Sequence, residues 1–127
     1  MAKRFGCFIK EARQHIKEWD AESAEEKIRA GGVLVVDVRE PDEFARGYIP
    51  GALNIPRGII EAAADSTTHY RHPKLCIAQA DNVLLYCQSG ARSALAAWAL
   101  QQMGFEKVYS LAGGLDCWDA EGFALTI

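Results

Sequence analysis

Cys87 and its neighbours have the residue types and order of a reactive thiol site. Four apolar residues (83–86) precede the cysteine, a short polar loop follows, and an Ala/Leu-rich run continues from Ala94 to Met103. This order predicts a strand, a loop and a helix, which places Cys87 at the carboxyl end of a strand and at the amino end of a helix. The backbone N–H groups of residues 88–93 would then lack intrahelical partners, and we expect them to surround the sulfur.

An ionised sulfur is the form that such a loop favours. A free thiol has a pKa of about 8.5, and helix amino termini with a nearby arginine lower thiol pKa values to roughly 3.5–7.5. Arg92 supplies the arginine here, so we expect a thiolate at neutral pH. Two plainer interpretations stay open: Cys87 as a small buried apolar residue, and Arg92 as a helix-start residue that points to solvent.

Four segments of the chain, taken in order, closely resemble the single-domain rhodaneses, sulfurtransferases that carry sulfur as a cysteine persulfide. They are residues 37–44, 47–56, 87–93 and 111–118, within a similarity that covers roughly residues 20 to 123. The resemblance implies that Cys87 is the catalytic nucleophile and that Asp37 and Arg39 brace the loops around the site. The substrate-binding residues would be Gln88, Ser89, Gly90, Ala91, Arg92 and Ser93.

This resemblance also implies a reaction without a cofactor or metal. The Cys87 thiolate would take sulfur from a small anionic donor such as thiosulfate and pass it to cyanide, a thiol or a sulfur-acceptor protein. Phosphatases and rhodanese-like arsenate reductases are the competing enzyme class. Phosphatases need the spacing Cys-x5-Arg, in which the arginine follows the cysteine by six positions, whereas here Arg92 follows Cys87 by only five. A non-catalytic rhodanese-like module that binds partners or relays sulfur is the third interpretation.

Strands and helices alternate along the chain, which predicts an α/β fold with a parallel sheet and helices on both faces. The resemblance implies a three-layer domain of about five strands in the order 1-5-4-2-3. We expect a single domain over residues 1–127, in which residues 1–19 are an N-terminal extension and the first edge strand.

The individual elements follow from periodicity and from capping residues. Strands are predicted at 15–19, 33–36, 83–86 and 105–111, and helices at about 7–14, 24–30, 58–64, 74–80 and 93–103. Asp20 or Ser23 would cap the second helix, and Gly104 would end the last of these. An extended loop is expected from Gly47 to Pro56, and Gly113 and Gly114 should open a helix that carries Trp118.

The composition excludes several classes of partner. A net charge of −3 without a basic cluster argues against nucleic acid, and no apolar run approaches the length of a membrane span. A cytoplasmic location is the resulting expectation. Cys7, Cys76 and Cys117 are scattered without a zinc-site pattern, so we interpret them as packing residues unless one is a resolving thiol for Cys87.

A few further polar side chains invite a functional interpretation. His69 and His72 are three residues apart, but no third ligand stands at a plausible spacing, so we expect surface histidines and no metal. Arg57 and Arg71 could reach the rim of the site. Tyr48 stands where the resembled family usually has histidine, which favours a packing role over proton transfer at this position.

Overall fold

A five-stranded parallel sheet organises the protein in the computed structural model, which describes residues 2–127. The strands lie in the order β1-β5-β4-β2-β3, and every neighbouring pair is parallel. Their bounds are β1 (Lys17–Trp19), β2 (Val33–Asp37), β3 (Leu53–Asn54), β4 (Asn82–Tyr86) and β5 (Lys107–Leu111). Strand number, order and the edge position of the first strand are confirmed.

Helices cover both faces of this sheet. They are α1 (Phe5–Arg13), α2 (Ala21–Ala30), α3 (Pro41–Ala45), α4 (Ile60–Ala64), α5 (Ala91–Gln102) and α6 (Gly114–Ala120), with a 3₁₀ turn at Arg57–Ile59 before α4. One buried apolar cluster joins α4 and α5 to the sheet, and α1 packs on α5. A second cluster joins α2 and α6 to the opposite face. The three-layer α/β fold is therefore confirmed, and no helix in residues 2–127 is long and apolar enough to cross a membrane.

The alternation of side chains along β4 decides where the cysteine points. Val83 and Leu85 enter the cluster beneath α5, whereas Leu84 and Tyr86 enter the cluster on the opposite face. Since successive residues of a strand point to opposite faces, Cys87 continues the row of Val83 and Leu85. Its side chain is therefore directed towards the helix that follows it.

Three helices, α1, α2 and α5, begin two or three residues earlier than their sequence patterns suggest. The Asp20 carboxylate accepts a hydrogen bond from the Ser23 N–H at 2.8 Å, so α2 begins at Ala21 instead of residue 24. Helix α5, which follows Cys87, begins at Ala91, two residues before the predicted start at Ser93. This shift brings the amino end of α5 closer to Cys87.

The helix predicted at 74–80 is wrong. The chain there forms successive turns after Pro73, which bury Leu75 and Ala78 but leave Ile77 74% exposed. A side chain also satisfies the backbone, since Gln79 Nε2 donates to the Cys76 carbonyl at 2.9 Å. Two buried anchors and local turn bonds hold this segment without a continuous helical ladder.

A short helix that the pattern did not indicate follows β2. Helix α3 has Pro41 in its first turn and a capping box in which Glu40 and Glu43 exchange side-chain and backbone hydrogen bonds. It holds Glu43 at the same edge of the sheet as the end of β4. The predicted extended loop 47–56 is present and includes the two-residue strand β3.

Candidate active site

The sulfur of Cys87 lies inside a turn of backbone at the amino end of α5. The Gly90 N–H donates to Sγ with a distance of 3.1 Å, and the Ser93 N–H donates at 3.4 Å. The Ser93 hydroxyl lies 3.6 Å from Sγ. Cys87 is 1% exposed, yet polar groups and not hydrocarbon alone surround its sulfur.

Two backbone N–H groups in the described chain bond this sulfur, whereas the sequence suggested six. The reason is geometric, because successive N–H groups in a turn and in a first helical turn point in different directions. Gly90 and Ser93, three and six positions after Cys87, are the two whose N–H groups face inward. Gly90 has a φ of +98°, a conformation that a side chain would strain.

The outer side of the loop is held by a second helix. The N–H groups of Leu115 and Asp116, at the start of α6, donate to the carbonyls of Cys87 and Gln88, both at 3.0 Å. These bonds fix the loop carbonyls away from the sulfur, so that the inward side offers N–H donors to an anion. Gly114 has a φ of +56°, and a Cβ there would collide with the Cys87 carbonyl.

We expect Gly114→Ala to disrupt this contact. The left-handed backbone alone costs an L-residue about 1–2 kcal/mol, and the added methyl would also push the Cys87 and Gln88 carbonyls out of place. Gly104→Ala is the matched control, because Gly104 also has positive φ, at +91°, but nothing lies within 4 Å of its Cβ position. Urea unfolding should show a clearly larger loss for Gly114→Ala, and equal losses would contradict the steric argument.

Two buried hydroxyls extend the polar surroundings of the sulfur. Ser93 Oγ and Ser110 Oγ lie 2.8 Å apart, and both residues are fully buried. Ser110 lies on β5 opposite Leu85, the residue two positions before the cysteine on β4. When the sulfur is ionised, Ser93 can donate to it while Ser110 donates to Ser93, so the three groups form one hydrogen-bonded chain.

We expect the effects of substituting Ser93 and Ser110 on stability to be coupled, because the two hydroxyls are hydrogen-bonded to each other. Ser93→Ala leaves the Ser110 hydroxyl without its partner, and Ser110→Ala removes a partner from Ser93, so each should cost about 1–3 kcal/mol of unfolding free energy. The double variant removes both hydroxyls and should cost less than the sum of the single losses. Urea unfolding of all four proteins measures the coupling, and strictly additive losses would contradict it.

Asp37 and Arg39 form a buried ion pair beside the loop. Asp37 is fully buried, and Arg39, 4% exposed, donates to its carboxylate from Nε and Nη2, the shortest bond being 2.7 Å. Arg39 also donates to the Gly47 carbonyl at 2.7 Å and to Gln88 Oε1 at 3.4 Å. Burial alone would lower the pKa of Arg39, but the hydrogen bonds and charge of Asp37 more than offset it and raise the pKa. The pair thus connects β2, the 47–56 loop and the active-site loop.

Arg92 does not point to solvent, so that interpretation is wrong. It donates two hydrogen bonds to the Glu43 carboxylate on α3, at 2.7 and 3.0 Å. The hydrogen bond from Arg92 lowers the pKa of Glu43 to about 2. The pair is therefore fully formed at neutral pH, and its stabilisation is lost only as the pH falls from the ordinary carboxyl value towards about 2. The charge of Arg92 is largely neutralised by this pairing.

The remaining loop side chains face outward. Gln88 donates from Nε2 to Asp116 Oδ1 at 2.7 Å, Ser89 is exposed, and Ala91 is half-buried. A groove of about 260 Å³ opens beside Gln88, and Arg46, Asp116 and Asp119 are among its lining residues. The side chain of Gln88 therefore links the rim of the site to α6.

The other polar candidates are placed elsewhere. Arg57 donates to Glu61 at 2.9 Å, and Arg71 donates to the Thr68 carbonyl at 2.9 Å and lines a separate surface cavity with His69. Within residues 2–127 neither arginine hydrogen-bonds the active-site loop. The His72 ring accepts from the Lys74 N–H, and the described residues contain no group of three or more His, Cys, Asp or Glu side chains that could hold a metal.

Tyr48 and the other cysteines have plain surroundings. Tyr48 stacks on Phe44 with ring centroids 4.0 Å apart, which fits the packing role expected for it. Cys7 and Cys117 are exposed, so the packing role expected for these two is wrong, whereas Cys76 is half-buried. None of the four thiols is in a disulfide within the described chain. A resolving role for one of them stays a prediction.

Two residues of the site lacked an interpretation from sequence. Ser110 lies on the same face of β5 as the apolar Val108. A single hydroxyl at a buried strand position was the only feature of the sequence that could have indicated its role. Glu43 had no role assigned from the sequence, because Arg92 is 49 residues away and only the fold brings the two together.

Comparison with known proteins gives a consistent result. A family model described as Rhodanese-like domain matches residues 20–121. A sulfurtransferase of Allochromatium vinosum is 34% identical over 111 residues, which cover 87% of this chain and 94% of that protein. The thiosulfate sulfurtransferase GlpE of Ectopseudomonas mendocina is 34% identical over 96 residues, 75% of this chain and 78% of that protein.

Among solved structures, a protein from Rhodopseudomonas palustris superposes over nearly the whole chain. Its TM-score is 0.90 at 31% identity, covering 99% of this chain and 96% of that one. That protein is described as of unknown function and as a possible tyrosine phosphatase. At 99% of this chain, the match is more extensive than residues 20–121, the part covered by the family model.

Proposed function

The chain belongs to the family of proteins with a rhodanese-like domain, and on that premise we propose that it is a sulfurtransferase acting through a persulfide on Cys87. The observation that carries the proposal is the convergence of the Gly90 and Ser93 N–H groups on Sγ at the amino end of α5. Such donors stabilise a sulfur anion, whether it is the thiolate or the terminal sulfur of a persulfide. Relatives named as sulfurtransferases support the same class of reaction.

In the first half-reaction the Cys87 thiolate attacks the outer sulfur of a donor such as thiosulfate. A new sulfur–sulfur bond forms at Sγ, the sulfur–sulfur bond of thiosulfate breaks, and sulfite leaves with the electron pair. The transferred sulfur carries the negative charge that the thiolate carried before. The Ser93 hydroxyl lies 3.6 Å from Sγ, close enough to donate to the thiolate that begins the reaction.

In the second half-reaction an acceptor attacks the terminal sulfur of the persulfide. With cyanide the product is thiocyanate, and the thiolate of Cys87 leaves with the electron pair. With a thiol the acceptor becomes a persulfide in its turn. A thiol or a sulfur-acceptor protein as the physiological acceptor, a small anionic donor and a cytoplasmic location remain predictions from the sequence.

The burial of Cys87 favours a donor that presents one small atom. The residue is 1% exposed, so a reactant must approach through the exposed side of the loop at Gln88 and Ser89. The outer sulfur of thiosulfate is a terminal atom and can enter end-on. A phosphoryl group must bring three oxygens with it and needs a wider loop.

A phosphatase is the second candidate, because the similar R. palustris protein is described as a possible tyrosine phosphatase. In phosphatases the loop arginine binds phosphate oxygens in a bidentate manner. Arg92 is five positions after Cys87, one fewer than that class requires, and its two terminal nitrogens, Nη1 and Nη2, already donate to Glu43. These features favour sulfur transfer over phosphate or arsenate chemistry.

Intact mass spectrometry tests the proposal directly. After incubation with thiosulfate the protein should gain the mass of one sulfur atom, and cyanide should remove it and yield thiocyanate. A parallel assay with p-nitrophenyl phosphate and with arsenate should show no turnover. Hydrolysis of the phosphate ester without sulfur loading would instead support the phosphatase, and neither activity would support the non-catalytic module.

A further inference from the structure

The positive charges that flank the active-site loop are mostly committed to acidic partners. Arg39 is paired with Asp37 and Arg92 with Glu43, in both cases through two or more hydrogen bonds. Arg46 lines the groove beside Gln88, but it shares that groove with Glu43, Asp116 and Asp119. On the β2 side of the loop, a dianionic donor therefore meets little net positive charge.

Arg13 lies on the opposite side of the loop and is the exception. It is the last residue of α1, the helix that packs on α5. Its Nη2 lies 3.6 Å from the position that a Cβ on Gly90 would occupy. The N–H of the same Gly90 is the donor 3.1 Å from Sγ. One loop residue thus separates this guanidinium from the reacting sulfur.

The charge of Arg13 is also available. Its only ion-pair partner in the described chain is Glu18, with an Nε to Oε2 distance of 3.8 Å, too long for a hydrogen bond. The side chain of Arg13 is 44% exposed, and within residues 2–127 it donates no hydrogen bond. Glu18 reduces the positive potential of Arg13 but does not use its N–H groups, so the guanidinium can still bind the oxygens of a ligand.

We propose that Arg13 binds the anionic oxygens of the sulfur donor and thereby makes the site selective for sulfonate-type donors such as thiosulfate over sulfane donors that lack sulfonate oxygens. The inference rests on the proposed function and adds to it the residue that sets donor class. Arg13 lies outside residues 20–121, the part that the family model covers, so this specificity element belongs to the helix that precedes the domain core. Arg13 forms and breaks no covalent bond, and its effect is on binding.

Steady-state kinetics with two donors test the proposal. For thiosulfate we expect Arg13→Gln to raise KM about tenfold, which corresponds to about 1.4 kcal/mol of binding, while kcat stays within about twofold. With an alkyl hydropersulfide, a donor that also presents a terminal sulfur but carries no sulfonate oxygens, KM should not change. Arg13→Lys keeps the positive charge and should raise the KM for thiosulfate less than Arg13→Gln does. Glu18→Gln should lower the KM for thiosulfate because it removes the opposing charge.

The controls separate charge from packing. Lys10→Gln removes a positive charge from the exposed side of the same helix and should leave both KM values unchanged. Added salt should raise the KM for thiosulfate of the unaltered protein more than that of Arg13→Gln. If Arg13→Gln alters neither KM, or alters both donors equally, the Arg13 inference is wrong although the transferase stands. If the unaltered protein never loads sulfur, the proposed function fails, and the inference fails with it.

Discussion

Cys87→Ser is expected to abolish the gain of one sulfur atom from thiosulfate and to reduce thiocyanate formation by on the order of 10³-fold or more. Serine oxygen is a far weaker nucleophile at neutral pH and cannot form the sulfur–sulfur bond that stores the transferred atom. The fold should persist, because the hydroxyl is smaller than the thiol and can accept the same Gly90 and Ser93 N–H bonds. Intact mass and the cyanide assay measure the two effects.

Cys7→Ser is the matched control for that variant. Cys7 is exposed on α1 and its replacement should leave loading and turnover unchanged. A gain of sulfur that persists in Cys87→Ser would mean that another thiol is loaded and that Cys87 is not the nucleophile. A loss of sulfur loading in Cys7→Ser would show that Cys7 takes part in loading and would contradict the assignment of Cys87 as the sole thiol required.

Arg39→Ala should cause the largest loss of stability among single substitutions at the site. It would leave the fully buried carboxylate of Asp37 without its cation and the Gly47 carbonyl without its donor. Breaking a buried pair by removing one partner costs about 3–5 kcal/mol, against a total of about 5–15 kcal/mol for a typical domain. Arg39→Lys should also be destabilising, because one ammonium cannot reproduce the forked contact.

Arg29→Ala provides the comparison, since Arg29 pairs with Glu25 at 3.1 Å on the surface of α2 with its side chain 68% exposed. Exposed pairs one helical turn apart contribute about 0.3–0.5 kcal/mol. Urea unfolding should therefore separate the two variants widely. Similar losses for both would show that burial of the Asp37–Arg39 pair has no special energetic consequence.

Local patterns in the sequence predict the core of the site well. The order of apolar strand, polar loop and Ala/Leu-rich run around Cys87 places the cysteine at the junction of β4 and α5, where the structure has it. This prediction was possible because the pattern depends only on residues adjacent to each other in the sequence. Where the signal was weak, as in the 74–80 segment, turns replaced the predicted helix, because burial of Leu75 and Ala78 did not require one.

Contacts between distant parts of the chain account for what the sequence did not indicate. The partner of Arg92 lies on α3, the partner of the Ser93 hydroxyl lies on β5, and the arginine beside Gly90 comes from α1. Each contact depends on helix start and strand register, which no local pattern specifies. The number of N–H groups that face the sulfur likewise depends on the backbone angles of the loop and not on its composition.

The alternation of side chains along β4 also protects the Cys87 thiol from reagents in solution, because it directs the side chain into the protein interior. Cys87 occupies a position that a leucine or valine would fill if the row of Val83 and Leu85 simply continued, so in the resting protein it is screened like any other interior side chain. Bulky alkylating reagents and mixed-disulfide partners meet the loop before they meet the sulfur. Selectivity against accidental modification thus arises from the same pairing of strands that makes the domain fold.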